Sequence, residues 1–173
     1  ALISIGAQDC HHHHSYGAFT GAVSALMLKK SGAKYVILGH SENRFAGDSN
    51  LIIKKKVESA LKNNLNIIFC VGETYKEKVK GKTFSIIKKQ ISDSISGKFN
   101  LKKIIISYEP VWSIGTGKIP KSEDLIKTFS FIKNFFKKRF GTKINPIVLY
   151  GGSVNERNVR LFSTISQIDG FLI

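Results

Sequence analysis

Short, near-continuous apolar runs alternate along this chain with longer amphipathic stretches, and that alternation constrains the fold more than any other feature. The runs Leu2–Ala7, Tyr35–Gly39, Asn66–Val71, Ile104–Tyr108, Pro146–Tyr150 and Gly170–Ile173 read as strands. Helical patterns lie near Ala22–Lys30, Asn50–Asn63, Lys76–Ile95, Glu123–Phe140 and Glu156–Phe162. Ser49 or Asp48 can cap the second helix, and Ser122 the fourth, with Glu123 and Asp124 in its first turn. Gly32, Gly97 and Gly141 stand where a left-handed residue would close a helix. Strands with few polar breaks are buried on both faces, as in parallel sheets covered by helices. Strict β-α alternation without a linker leaves two architectures for one domain, an open doubly wound sheet or a closed barrel.

The polar residues decide between them. Gln8-Asp9-Cys10, His40-Ser41-Glu42, Gly72-Glu73, Glu109 and Gly151-Gly152-Ser153 each follow a strand. Chemistry spread over the C-terminal ends of many strands is the barrel habit, so a barrel is favoured. Six strands cannot close an eight-stranded barrel. The chain opens on Ala1 in what looks like the middle of a strand. The expectation is therefore an incomplete (β/α)8 barrel, a single α/β domain over residues 1–173. It would cover about the third to eighth strands and lack the last loop and helix.

Residues 104–118 carry the strongest functional signal. Three isoleucines form a buried strand, and Glu109 stands at its end, pinned by Pro110. Proline fixes its own φ and drives the preceding residue toward an extended conformation, which holds Glu109 at the mouth of a strand. Gly115 and Gly117 follow, allowing positive φ and close approach of backbone N–H groups to an anion. A placed carboxylate beside an amide-rich loop points to proton abstraction from a small anionic substrate.

Charge and composition remove other classes. Lys and Arg number 27 against 12 Asp and Glu, a formal charge of +15. Most lysines alternate with apolar residues in helical stretches, which reads as solvated helix faces. Nucleic-acid binding would require a clustered patch with stacking aromatics, and the phenylalanines here sit at core spacing. The field that remains attracts anionic metabolites. No apolar run approaches the ~18 residues of a membrane span, and no secretory signal is visible. Cys10 and Cys70, 60 residues apart, form no CxxC pattern and fit a reduced, cytoplasmic setting. Cys70 ends the apolar run Ile67-Ile68-Phe69 and reads as core packing. The internal run His11–His14 reads as a loop, without a carboxylate or cysteine at ligand spacing, so neither a metal nor a cofactor is expected.

The stretch Tyr108-Glu109-Pro110-Val111-Trp112-Ser113-Ile114-Gly115-Thr116-Gly117-Lys118 resembles the catalytic strand and lid of the triosephosphate isomerase family. Gly17-Ala18-Phe19-Thr20-Gly21, Gly39-His40-Ser41-Glu42, Cys70-Val71-Gly72-Glu73, Tyr150-Gly151-Gly152-Ser153 and Asp169-Gly170-Phe171-Leu172 also resemble that family's motifs, in order and at its spacing. The resemblance implies an aldose-ketose isomerase of glycolysis and gluconeogenesis. Such an enzyme interconverts dihydroxyacetone phosphate and D-glyceraldehyde 3-phosphate through an enediolate. It implies Glu109 as the base and His40 as the electrophile. Gly115 and Ser153 would contact the substrate phosphate, Pro110 to Lys118 would form the lid, and Glu42 and Cys70 would support the pocket. Trp112 and Tyr150 would brace the open and closed lid. Thr20 would sit near the tip of a loop that reaches into the partner of a homodimer.

The departures bear on function. Asn43 stands where the family usually carries the first of two arginines, and Lys118-Ile119-Pro120 replaces a small-residue hinge. The resemblance also places a catalytic lysine on a first strand that is not among these residues. Electrostatic stabilisation is commonly the largest catalytic term, so the 173 residues alone are expected to be inactive. The alternatives are a truncated, non-catalytic barrel that binds phosphate and a basic nucleic-acid-binding domain; the motifs do not support the latter.

Overall fold

A computed structural model describes residues 3–141, 143 and 145–173 of the chain. Each apolar run carries a strand, several of them shorter than expected: β1 (Gly6–Ala7), with residues 3–5 exposed and outside it, β2 (Tyr35–Leu38), β3 (Asn66–Val71), β4 (Ile104–Tyr108), β5 (Val148–Tyr150) and β6 (Gly170–Phe171). Leu2, at the start of the first candidate, lies outside the described residues. The helices are α1 (Ala25–Lys30), α2 (Ser41–Phe45), α3 (Asn50–Lys62), α4 (Tyr75–Val79), α5 (Thr83–Ser94), α6 (Ser122–Phe140) and α7 (Val159–Ser163).

Local chemistry explains where boundaries differ from the sequence pattern. The single helix expected over Lys76–Ile95 is two, because Gly81 takes φ +67° between α4 and α5. A capping box opens α4: Thr74 Oγ1 accepts from Glu77 N at 3.4 Å, and Glu77 Oε2 accepts from Thr74 N at 2.8 Å. α1 starts at Ala25, not Ala22, because Ser24 Oγ accepts from Met27 N at 3.2 Å. Ser49, rather than Asp48, caps α3 through Ile52 N at 3.3 Å. Ser122 lies inside α6, whose cap position is Lys121 with no side-chain bond. The segment expected to open a helix at Glu156 is held in a turn, in which Asn158 Oδ1 accepts from Asn155 N at 2.8 Å. Gly32 and Gly141 take φ of +93° and +114°. Gly97 takes no positive φ, since α5 ends three residues earlier.

The chain forms two compact units, Ala1–Phe69 with Ser92–Ile105, and Cys70–Ile91 with Ile106–Ile173. In the first, β1 pairs with β2 and β2 with β3, all in parallel. In the second, β4 pairs with β5 and β5 with β6, again in parallel. Within each unit, strand order follows chain order.

Each unit packs apolar helix stripes on its strands. Ile53, Val57 and Ala60 of α3, at helical spacing, are fully buried, as are Val36, Leu38, Ile67 and Phe69 in the first unit. Leu125, Phe129, Ile132 and Phe136 of α6 form the equivalent stripe in the second unit, with Ile106, Val148 and Tyr150 on its strands. A side chain such as Phe129 contributes about 1.5–3 kcal/mol by leaving water. One lysine departs from the expected solvated faces: Lys56 is buried, with Nζ 2.7 Å from Asp9 Oδ2 and 2.6 Å from Asp48 Oδ2. Among the described residues, no helix is long and apolar enough to cross a membrane.

Candidate active site

Glu109 leaves β4 where the strand ladder ends, and main-chain bonds fix its place. Its N–H donates to Val71 O at 2.8 Å, Gly151 N donates to Tyr108 O at 2.9 Å, and Val111 N donates to Glu73 O at 3.1 Å. Pro110 takes φ −63° and ψ 98°, turning the chain out of the strand into a 3-10 turn at Val111–Ser113. Glu109 is 2% exposed. Two glycines make room for it. A Cβ on Gly72 would overlap the Glu109 carbonyl oxygen, and one on Gly151 would stand 2.8 Å from Glu109 Cγ. Backbone at both positions thus lies against the carboxylate residue where any side chain would displace it.

The loop that follows is held by its own polar groups. Ser113 Oγ donates to Lys118 O at 2.6 Å, Thr116 Oγ1 donates to Trp112 O at 3.0 Å, and Lys118 N donates to Thr116 Oγ1 at 3.2 Å. Gly115 and Gly117 are exposed, at φ +64° and +69°, and Ile114 is half-buried. Ser153 Oγ donates to Ser113 O at 2.5 Å, and the Tyr150 hydroxyl lies 3.4 Å from Ser113 Oγ. Ser153 and Tyr150 therefore both meet the loop at Ser113. Pro120, at its far end, is buried.

At its near end the loop is tied to a buried acid that sequence reading did not single out. Trp112 Nε1 donates to Glu73 Oε1 at 3.0 Å, and the Tyr108 hydroxyl donates to the same carboxylate at 3.1–3.2 Å. Lys78 Nζ sits 3.7 Å from the Trp112 ring centroid. Burial pushes the Glu73 carboxyl above the ordinary range, against the pull of the Trp112 and Tyr108 hydrogen bonds and of Lys78. Burial and the adjacent Glu73 charge likewise push the Tyr108 hydroxyl up. A cavity of about 190 Å³ opens beside these groups, lined by Glu73, Lys78, Phe84, Tyr108, Trp112 and Asp124. The available signal for Glu73 was its place directly after a strand in the Cys70-Val71-Gly72-Glu73 motif.

His40, in the first unit, is the N-cap of α2 and follows Gly39, at φ +76°. Its Nδ1 accepts from Glu42 N at 3.4 Å. With Nδ1 accepting this backbone N–H, Nε2 is the ring nitrogen left to donate. The Glu42 carboxylate is solvent-exposed and 3.9 Å from His40 Nδ1. Beside Asn43, Arg44 donates to Gly39 O at 2.7 Å and to Asn50 Oδ1 at 2.8 Å, bracing the turn that carries His40. Thr20 lies exposed in a turn closed by Ala22 N donating to Phe19 O at 3.0 Å. The second unit thus gathers Glu109, the loop Pro110–Lys118 and Ser153, with Cys70 fully buried at the end of β3. His40, Glu42 and Thr20 belong to the first unit.

Parallel strands joined by helices, with acid, imidazole and glycine-rich loops all at strand ends, define an enzyme of the α/β-barrel class. A family model described as triosephosphate isomerase matches residues 1–173. The triosephosphate isomerase of Dictyoglomus thermophilum is 41% identical over 99% of this chain and 70% of its own length. That of Geotalea uraniireducens is 42% identical with the same coverage. The crystal structure of triosephosphate isomerase from Bartonella henselae superposes with a TM-score of 0.91 at 36% identity, over 99% of this chain and 70% of that one. The chain belongs to the triosephosphate isomerase family, and its fold is that of the (β/α)8 barrel. It is an isomerase of triose phosphates, a glycolytic activity.

Proposed function

We propose that residues 1–173 form one partial (β/α)8-barrel domain, about the third to eighth strands, in which Glu109 is the base of aldose-ketose isomerisation. Glu109 removes a proton from one carbon of dihydroxyacetone phosphate and returns it to the neighbouring carbon. The enediolate between the two steps collapses to D-glyceraldehyde 3-phosphate. His40 donates from Nε2 to the substrate oxygens, polarising the carbonyl in the first step and shuttling protons between oxygens in the second. Backbone N–H groups at Gly115 and Ser153 hold the phosphate, and Pro110–Lys118 closes over it to exclude water. Trp112 braces the open loop through Glu73 and Tyr150 the closed one; Cys70 and Glu42 act as supporting residues of the pocket.

The observation that carries this reading is the burial of Glu109 at a strand end, bracketed by Gly72 and Gly151. A carboxylate held in one place is a better-aimed base than one free to move in water. No cofactor and no metal enter the reaction. Thr20 reaches into the partner of a cytoplasmic homodimer. By the same reading the 173 residues alone turn over no triose phosphate, because the lysine assigned by resemblance to the first strand is not among them; the alternative reading is a truncated barrel that binds phosphate and does no chemistry.

The test is Glu109→Gln in the barrel completed by its remaining strands. Turnover should fall by several orders of magnitude, on the scale of a lost general base and its alignment. Inhibition by inorganic phosphate should remain. Turnover at the wild-type level would sink the role given to Glu109.

A further inference from the structure

The main chain beneath Glu109 is held by a residue that belongs to none of the motifs. Gln90, in α5, makes a two-point amide clamp on Gly72: Gly72 N donates to Gln90 Oε1 at 2.9 Å, and Gln90 Nε2 donates to Gly72 O at 2.9 Å. Both polar groups of one residue's main chain, just beyond β3, are thereby satisfied by a single side chain. Ile87 and Ile91, on the same face of α5, are fully buried and fix where Gln90 can reach.

The clamped residue is the one in contact with the base. Gly72 lies so close to the Glu109 carbonyl that a Cβ there would overlap it. On either side of Gly72 the two segments are bonded, by Glu109 N to Val71 O at 2.8 Å and by Val111 N to Glu73 O at 3.1 Å. Residues 71–73 therefore form the platform on which 109–111 rests, and Gln90 holds its centre. An amide suits this position because it supplies a donor and an acceptor together without a net charge near the base. Releasing the clamp leaves the Gly72 N–H and C=O to water and frees the platform to shift. A displacement of about 1 Å at reacting groups costs about a hundredfold in rate.

We infer that Gln90 is a positioning residue for the isomerisation, fixing the main chain of the base Glu109 through Gly72. The inference rests on Glu109 being the base. The test compares Gln90→Met, which keeps the length and loses both bonds, with Gln90→Glu, which keeps the acceptor and loses the donor. Both are made in the complete barrel and assayed well below their melting temperatures. For Gln90→Met, kcat should drop about tenfold or more, while KM and the inhibition constant of inorganic phosphate stay within about twofold. Gln90→Glu should fall between it and wild type, and it carries the same criteria if the Met variant does not fold.

A merely structural role would lower the melting temperature without separating kcat from phosphate binding. A folded variant with wild-type kcat, or with kcat, KM and phosphate inhibition shifting together, would overturn the positioning role. Glu109→Gln assayed alongside separates the two claims. Turnover in that variant removes the base assignment itself, whereas an inactive Glu109→Gln beside a fully active Gln90→Met removes the positioning role alone.

Discussion

The main chain of Gly151 lies against the side chain of Glu109: a Cβ added there would stand 2.8 Å from Glu109 Cγ and 2.7 Å from Ser107 Oγ. Neither neighbour can yield freely. Ser107 and Glu109 are both buried, and Gly151 N is fixed to Tyr108 O at 2.9 Å. The glycine is thus required by space, and the space it leaves is occupied by the carboxylate.

Gly151→Ala should therefore act on the base. The added methyl pushes Glu109 from its place, and turnover should fall about a hundredfold. Overpacking should also cost about 1–3 kcal/mol of stability. Steady-state kinetics and urea denaturation of the same variant check both effects; an alanine variant with unchanged kcat would mean that the carboxylate accommodates the methyl without loss.

Glu73 makes stability depend on pH in a definite direction. Its carboxyl titrates above the ordinary value of 4.5 in the fold, chiefly through burial. Between the unfolded and folded values the native state holds the extra proton, so the contribution of Glu73 to stability is complete below pH 4.5 and is lost as pH rises through the folded value. Glu73→Gln keeps an acceptor for Trp112 Nε1 and carries no charge. It should remove this decline, and the difference in melting temperature between variant and wild type should grow as pH rises from 4.5 through the folded value. Trp112 is the only tryptophan, so its fluorescence reports directly whether the bond to residue 73 survives. A constant difference across that range would exclude Glu73 as the titrating group.

Strand positions were legible because the apolar runs have sharp edges: Pro110 ends one segment, and Gly151-Gly152 follows another. The break between α4 and α5 was also written in the chain, in the capping pattern Thr74-x-x-Glu77 and in Gly81, but the amphipathic period across Lys76–Ile95 hid it. Glu73 and Gln90 were harder. The partner of Glu73, Trp112, is 39 residues away, and Gln90 in a lysine-rich helix has the pattern of a solvated face. Lys56 is one of 27 basic residues, and only the fold separates it from those in water.

Lys56 holds Asp9 and Asp48 together in the first unit. Burial opposes its charge, but the hydrogen bonds it donates to both carboxylates outweigh it, and its ammonium titrates above the usual 10.5. Lys56→Met removes the cation and leaves two carboxylates facing each other. Stability should fall by about 2–3 kcal/mol, below the full cost of a broken buried pair because Asp9 keeps part of its hydration. Urea denaturation at neutral pH measures it, and Lys56→Arg should recover most of the loss. The contribution is complete below pH 10.5 and is lost as pH rises through the folded value. A Met variant as stable as wild type would show that the pair does no more than offset its own desolvation.

Cys10 sets the alkaline limit more directly. Burial, with the charge of Asp9 beside it, pushes its thiol from 9.0 to about 12, although Lys56 acts in the opposite sense. Between those values the unfolded chain loses a proton that the folded chain keeps, so stability falls with rising pH across that window. The slope attributable to one thiol is about 1.4 kcal/mol per pH unit. Cys10→Ala should lose that slope, and subtracting its unfolding profile from that of wild type isolates the thiol from the titration of Lys56. The same burial keeps the thiolate scarce, so iodoacetamide at pH 8 should alkylate Cys10 only as fast as the protein opens. Rapid alkylation of the native protein, with no change in rate on adding mild denaturant, would show that the thiol is accessible in the folded state.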